Sequence, residues 1–305
     1  LLADIVHKML FGKEGIARSR ILYTVRKQIP GKKEWSADIW ESDYDGANSR
    51  QILFNVGYTV TPQYAPPEKG KQSRHFFFVS YQTGQPKIYM ADLSGKHVQR
   101  LTKLRGNQLM PTLSKQRDTL AFISDAGGNP DLFIQEFSPA EGAVGKPRQI
   151  FSARMATQGT PTFSPDGQEL AFVSNKDGSA RIYAMKIPPE GAKLTELRPR
   201  LITKFRRGCT APAWSPDGRR IAYCARVDGI RQIFVYDFFD KSEKQLTSGP
   251  KNKENPAWAS NSLHLIYNAS TATQSDLYML NLKQLKPIKL TSGPGEKRFP
   301  SWEPL

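Results

Sequence analysis

The side chains best suited to chemistry in this 305-residue sequence are four histidines, two cysteines and 28 carboxylates. His7, His75, His97 and His264 stand far apart, and none falls in a His-x-x-x-His or His-Glu-x-x-His pattern that would aim two imidazoles at one metal from a helix face. There is no Gly-x-Ser-x-Gly nucleophile elbow, no Walker-type loop and no full Gly-x-Gly-x-x-Gly phosphate cradle. The close carboxylates Asp43 and Asp45 lie in Ser42-Asp43-Tyr44-Asp45-Gly46, where Asp bonding its own backbone makes a turn without any acid–base role. Catalytic residues, a cofactor and a metal are therefore all expected to be absent. Cys209 and Cys224 flank the turn Ser215-Pro216-Asp217-Gly218 and should fall on neighbouring strands, roughly opposite each other. An oxidising compartment would permit a disulfide, but cross-strand geometry is demanding, and two free thiols are expected.

Lys and Arg number 44 against 28 Asp and Glu, a formal charge of +16. The basic residues are spread over separate turns, as at Arg18–Arg20, Lys69–Arg74, Arg198–Arg207 and Arg219-Arg220, with no aromatic RNA-binding motif or Cys-x-x-Cys ladder among them. A nucleic-acid partner is not expected from that distribution; a basic surface suited to an acidic partner is. No apolar run approaches the roughly 18 residues of a membrane span, so direct insertion is not expected either. The opening Leu1-Leu2-Ala3-Asp4 lacks the basic start and long apolar core of a signal peptide.

The elements that must position any site are short strands. Gly 23 and Pro 22 punctuate the chain too often for a helical bundle. Pro-x-(large apolar) recurs at Pro62-Gln63-Tyr64, Pro111-Thr112-Leu113, Pro161-Thr162-Phe163, Pro212-Ala213-Trp214, Pro256-Ala257-Trp258 and Pro300-Ser301-Trp302, spaced by 49, 50, 51, 44 and 44 residues. Two further strand-like runs per unit end or centre on aromatics, and in five of the six units these aromatics are 11 residues apart, as in Phe78 and Tyr89 or Phe172 and Tyr183. A fourth run, such as Arg100-Leu101-Thr102 or Gln245-Leu246-Thr247, closes each unit. A fixed period of this size predicts an all-β fold, a six-bladed β-propeller of four-stranded antiparallel blades. The first unit has no Pro-x-aromatic strand of its own, while Phe299-Pro300-Ser301-Trp302 is left over after the last. The simplest closure has the C-terminal strand join the N-terminal blade, which leaves no open edge. Ahead of the repeats, Leu1, Leu2, Ile5, Val6, Met9 and Leu10 recur at helical spacing up to a stop at Gly12. Residues 1–15 are expected to be the remnant helix of a missing N-terminal domain, and residues 16–305 the propeller.

The strings Ala3-Asp4-Ile5-Val6, Gly15-Ile16-Ala17-Arg18-Ser19-Arg20-Ile21-Leu22-Tyr23 and Ser42-Asp43-Tyr44-Asp45-Gly46, the Ser-Pro-Asp-Gly repeats and the ending Phe299-Pro300-Ser301-Trp302-Glu303-Pro304-Leu305 together resemble the TolB family over essentially the whole length. Three units depart from the repeat, with Ser114-Lys115-Gln116-Arg117, Ala259-Ser260-Asn261-Ser262 and an extended loop at Ala65-Pro66-Pro67-Glu68. The resemblance implies a periplasmic, non-enzymatic scaffold of the Tol-Pal system. It would hold the peptidoglycan-associated lipoprotein, Pal, at one mouth of its channel and support outer-membrane integrity and envelope constriction during division. TolA would be reached through an N-terminal segment absent from this chain. The alternative is a propeller hydrolase, lyase or peptidase-associated domain acting on sugars or peptides.

The segments entering the Pro-x-aromatic strands should form a ring of loops on one face, and by resemblance this is the face that meets Pal. The candidate contacts are Asn107, Gln108, Leu109, Met110, Gln158, Gly159, Thr160, Thr210, Ala211, Glu254 and Asn255. Such loops on a regular scaffold are where a binding surface is usually grafted.

Overall fold

The computed structural model describes residues 2–12, 15–54 and 56–304; Leu1 of the helical pattern and Leu305 of the closing segment lie outside them. Six four-stranded antiparallel sheets succeed one another along the chain. Blade 1 contains Arg20–Gln28, Trp35–Asp43 and Arg50–Gln51, with Glu296–Trp302 on its inner side. The inner strands of blades 2 to 6 are Thr59–Tyr64, Gln108–Leu113, Gln158–Phe163, Thr210–Trp214 and Asn252–Trp258, and each is followed outward by its three successors in sequence order.

The repeated aromatics of the sequence are cross-strand partners. Phe78 faces Tyr89, Phe122 faces Phe133, Phe172 faces Tyr183, Tyr223 faces Phe234, Tyr267 faces Tyr278, and in blade 1 Tyr23 faces Trp40. Four of these pairs stack with ring centroids 5.7 to 6.0 Å apart and planes within 22° of parallel. The 11-residue spacing is thus the length of two short strands and the tight turn between them, which sets the register that puts the rings opposite each other. Because successive side chains alternate faces, each sheet sends one set of apolar residues to either neighbour, and the core divides into six inter-blade layers.

The same alternation settles the cysteines. The two are not opposite each other as expected: Thr210, the first residue of its strand, lies opposite Cys224, so Cys209 is one residue out of register and its side chain points to the other face of blade 5. Cys209 joins the apolar layer shared with blade 4, and Cys224 the layer shared with blade 6. Both are free and buried, and burial pushes their thiols up to about 11 and about 12.

The turns fold as the motif requires even where the motif is lost. In Ser164-Pro165-Asp166-Gly167 the Gly167 N–H donates to the Ser164 carbonyl, Ser164 Oγ bonds the Asp166 carboxylate, and Gly167 takes φ +74°. Arg117 and Ser262 occupy the glycine position in two departing units at φ 65° and 56°, and each makes the same backbone bond.

Blade 1 closes the ring. Ile21 pairs with Trp302, the Glu303 N–H donates to the Arg20 carbonyl, and the Trp302 indole donates to Ser19 Oγ at 2.6 Å. The Glu303 carboxylate, with no exposed surface, lies 3.4 Å from the Arg20 guanidinium, which also reaches Glu41 at 3.3 Å; Tyr64 of blade 2 donates to Glu41 at 3.1 Å. Burial pushes the Glu303 carboxyl up, and Arg20 opposes that shift.

The helix Leu2–Phe11 precedes blade 1 and leads into the end of it where Trp302 lies. Asp4 is buried and accepts the Ala17 and Arg18 N–H groups at 2.9 Å. Gly15 is required there because a Cβ would stand 1.9 Å from Asp4 Oδ1. The opposite side of the helix leaves Leu2, Ile5, Val6, Met9 and Leu10 exposed.

Two outcomes check this account. Ending the chain at Arg298 removes the buried Trp302 and is expected to cost about 3 to 5 kcal/mol for that side chain alone; Arg20→Met, which strands the buried Glu303 carboxylate while Glu41 keeps Arg50 at 2.6 Å, is expected to cost a similar amount. An unchanged thermal unfolding midpoint for either would contradict the closure. In unreduced native protein both thiols are expected to resist alkylation and then take up reagent on unfolding, with no two-dalton deficit by mass spectrometry.

Candidate docking site at the channel mouth

The inner strands line a central channel, and their sequence explains how an unpaired strand edge is tolerated there. Each carries a buried proline, at 62, 111, 161, 212, 256 and 300. Proline has no N–H to leave unsatisfied at an edge facing the channel. The residue before each proline is in the left-handed region: Thr61 (φ 53°), Met110 (54°), Thr160 (40°), Ala211 (51°), Asn255 (54°) and Phe299 (53°). The register to the next strand slips at the same place in all six blades. Six bulges therefore bend the six inner strands alike, and each non-glycine residue held there costs about 1 to 3 kcal/mol that the surrounding blade must offset.

These bulged residues line a narrow recess of about 270 Å³. At the other end of the channel the turns after the inner strands, with Trp214, Trp258 and Trp302, surround a wider cavity of about 830 Å³. Adjacent inner strands are stitched together, with Ser301 Oγ accepting the Tyr64 N–H at 3.2 Å and the Ala213 carbonyl accepting the Trp258 indole N–H at 3.0 Å.

The sequence placed the candidate contacts in loops, and here the structure corrects it. Of the eleven, only Asn107 lies in a connection; the other ten belong to the inner strands, which continue through the bulge and start earlier than proline would suggest. Their accessibility differs sharply. Gln108 is fully buried, and its amide donates to the carbonyls of Leu104, Arg105 and Gly106; Gln158 is buried between Asp131 and Ser174. Asn107 is committed to the Asp125 carboxylate at 2.6 and 2.7 Å, Leu109 packs into the layer between blades 2 and 3, and Glu254 pairs with Arg231. Thr210 lies in register with Cys224. Met110, Thr160, Ala211 and Asn255 line the recess, and a Cβ on Gly159 would stand 3.9 Å from Met110 Sδ.

The buried polar residues have a shared task. Lys253 donates to the Gly249 carbonyl at 2.8 Å and Lys297 to the Gly293 carbonyl at 2.5 Å, as Gln108 does to Gly106. Burial pushes both amines down. Each side chain ties an inter-blade connection to the strand beneath it, so the rim of the narrow mouth is preorganised.

Sequence reasoning missed three exposed apolar residues in the connections just upstream: Phe54, Met155 and Phe205. Their signal was an apolar residue in a polar turn, next to Lys204 and Arg206 for Phe205 and Arg154 for Met155. His97 contacts Asp92, and His264 lies between Asn261 and Asn281 with its pKa lowered by burial and then by the nearby His7; among the described residues no group of three His, Cys, Asp or Glu could hold a metal. No helix among those residues is long and apolar enough to cross a membrane.

A ring of six blades, closed by a shared blade and presenting a rigid bulged rim, defines a β-propeller scaffold. The family model of the TolB beta propeller domain matches residues 7–305, and the chain belongs to that family. It is 59% identical over 255 residues to the protein TolB homolog of Protochlamydia amoebophila, covering 83% of this chain and 54% of that protein. To the protein TolB homolog of Chlamydia abortus it is 44% identical, over 83% of this chain and 57% of that one. The chain thus spans just over half the length of these relatives. The crystal structure of TolB from Acinetobacter baumannii superposes with a TM-score of 0.83 at 21% identity, covering all of this chain and 71% of that one. Peptidases and a lyase share the propeller at 13 to 16% identity, a likeness of fold alone.

Two substitutions test the rim. Thr61 is β-branched at positive φ, and its buried hydroxyl has no hydrogen-bond partner among the described residues. Thr61→Gly is therefore expected to raise stability by about 1 kcal/mol in denaturant unfolding. Gln108→Ala strands the Arg105 carbonyl, leaves those of Leu104 and Gly106 to Lys87 alone, and is expected to cost about 1 to 3 kcal/mol and to speed amide exchange in residues 103–107.

Proposed function

We propose that the chain acts as a non-catalytic, periplasmic scaffold of the Tol-Pal system that holds Pal at the narrow mouth of its channel and so supports outer-membrane integrity and constriction during division. Membership of the TolB propeller family supports the system. The observation that carries the site is the rim itself: six bulged strands with left-handed residues at equivalent positions, three of their connections clamped from below by buried polar side chains. Backbone held in sparsely populated conformations at one repeated place is a mark of a surface kept for recognition. The helix leads into the opposite end of blade 1, which leaves the narrow mouth clear. Its exposed Leu2, Ile5 and Met9 suit cover by a further domain, the reading proposed for residues 1–15.

Calorimetric titration with a soluble Pal-type domain tests this. Met110→Asp and Gly159→Trp are expected to weaken binding by about 1 to 3 kcal/mol together, with little change in stability because Asp tolerates the positive φ at 110 and a Cβ at 159 meets no atom closer than 3.9 Å. Lys115→Glu at the wide mouth is expected to leave affinity unchanged. Equal losses at both mouths, or no binding by the unmodified chain, would count against the assignment.

A further inference from the structure

The rim is repeated in backbone but not in chemistry. The connections leading into blades 6 and 1 run Ser248-Gly249-Pro250-Lys251 and Ser292-Gly293-Pro294-Gly295, small and nearly uncharged. Those leading into blades 3, 4 and 5 are different, and each is built around an inward anchor. Leu104 packs into the layer between blades 2 and 3, which turns Lys103 and Arg105 outward; its carbonyl and that of Gly106 are held by Lys87 as well as Gln108. Ala153 and Ala156 pack inward and close a turn through the Ala156 N–H and Ala153 carbonyl, leaving Arg154 exposed and Met155 89% exposed. Arg206 inserts with its guanidinium 4.0 Å from the centre of the Phe234 ring and 3.8 Å from the Glu243 carboxylate. That leaves Lys204 and Arg207 exposed and Phe205 84% exposed beside it.

Lys103, Arg105, Arg154, Lys204 and Arg207 make no ion pair among the described residues. Asp125 and Asp177 are themselves engaged, the first by Asn107 and the second by Lys176 and Tyr183. Five unpaired cations and two prominent apolar side chains thus form an arc beside the recess, with Met110 at its inner edge.

We infer that this arc over blades 3 to 5 is the energetic centre of the mouth, and that its occupant is a protein presenting an acidic surface with apolar side chains set into it. The inference rests on the reading of the narrow mouth as a protein-docking site. Charge complementarity decides the sign of the partner, since unpaired cations on a water-facing rim steer and hold carboxylates. The apolar residues decide the class. Two of the three are methionines, whose flexible thioethers adapt to a protein surface, whereas single-stranded nucleic acid calls for a series of aromatic platforms and Phe205 is the one exposed aromatic in the arc, with Phe54 apart from it ahead of blade 2.

The test uses the full 305-residue chain and two probes. With a soluble Pal-type domain, Arg105→Glu/Arg154→Glu/Arg207→Glu and, separately, Met155→Ser/Phe205→Ser are each expected to lower the association constant about tenfold or more. Lys32→Glu/Lys33→Glu, on the blade 1 side of the same face, is expected to change it less than about twofold. Binding is expected to fall steeply as NaCl rises from about 50 to about 300 mM. Pal binding that ignores salt and responds equally to both arcs would overturn this inference while leaving the docking reading intact. If the Pal-type domain fails to bind, that reading fails, and the arc is judged with a photo-crosslinkable peptide of alternating Glu and Leu. Crosslinks concentrated on residues 103–105, 154–155 and 204–207 would support it, and crosslinks scattered over the surface would overturn it. Anionic vesicles or a DNA duplex binding these residues more tightly than the peptide would also overturn it.

Discussion

Closure of the ring is the constraint on which the molecule depends. A four-stranded sheet with apolar residues on both faces buries neither alone, and only when each blade has two neighbours do all six inter-blade layers become dry. The last of those layers exists because the C-terminal strand returns to blade 1, with Trp302 in the core and Glu303 tied to Arg20 across 283 positions of sequence. The carboxylates of Glu303 and Glu41 share that one guanidinium, with Tyr64 of the next blade on the far side. The network thereby links the start of the chain, its end and the second blade at one point.

Closure also makes the channel and decides how its wall is built. Inner strands of a closed ring keep one edge free, and that edge must be blunted against pairing with other chains. Proline removes the donor and the bulge turns the strand, at the cost of a left-handed residue in each blade. The closed ring supplies what offsets that cost, since every bulge is bounded by neighbouring inner strands and, in blades 3, 6 and 1, by a buried amide or amine beneath the connection. The strain and the preorganised rim are two aspects of a single arrangement.

Much of the fold was legible in the sequence because strand pairing inside a blade is local. The 11-residue aromatic spacing and the six prolines report contacts that are close in sequence or recur once per blade, the orphan final strand shows itself as a repeat left without its blade, and all lie where expected. The free state of Cys209 and Cys224 also follows from alternation along a strand once Thr210 is known to face Cys224. Gln108 and Gln158 were misjudged as open contacts for a physical reason. Polar residues beside a turn are ordinarily solvated, and only the carbonyls of a neighbouring connection or the carboxylate of an adjacent strand make burial favourable for them.

The sequence by itself determined the blade number, the strand order, the apolar faces and the place where the ring closes, because those rest on periodicity and on near-neighbour pairing. Tertiary structure alone decided which residues of the mouth are open. It turned Leu104, Ala156 and Arg206 inward and the cations beside them outward, and it brought three connections separated by about fifty residues each into one arc. That outcome depends on the packing of each connection against the next blade, a contact between segments whose proximity no local pattern records.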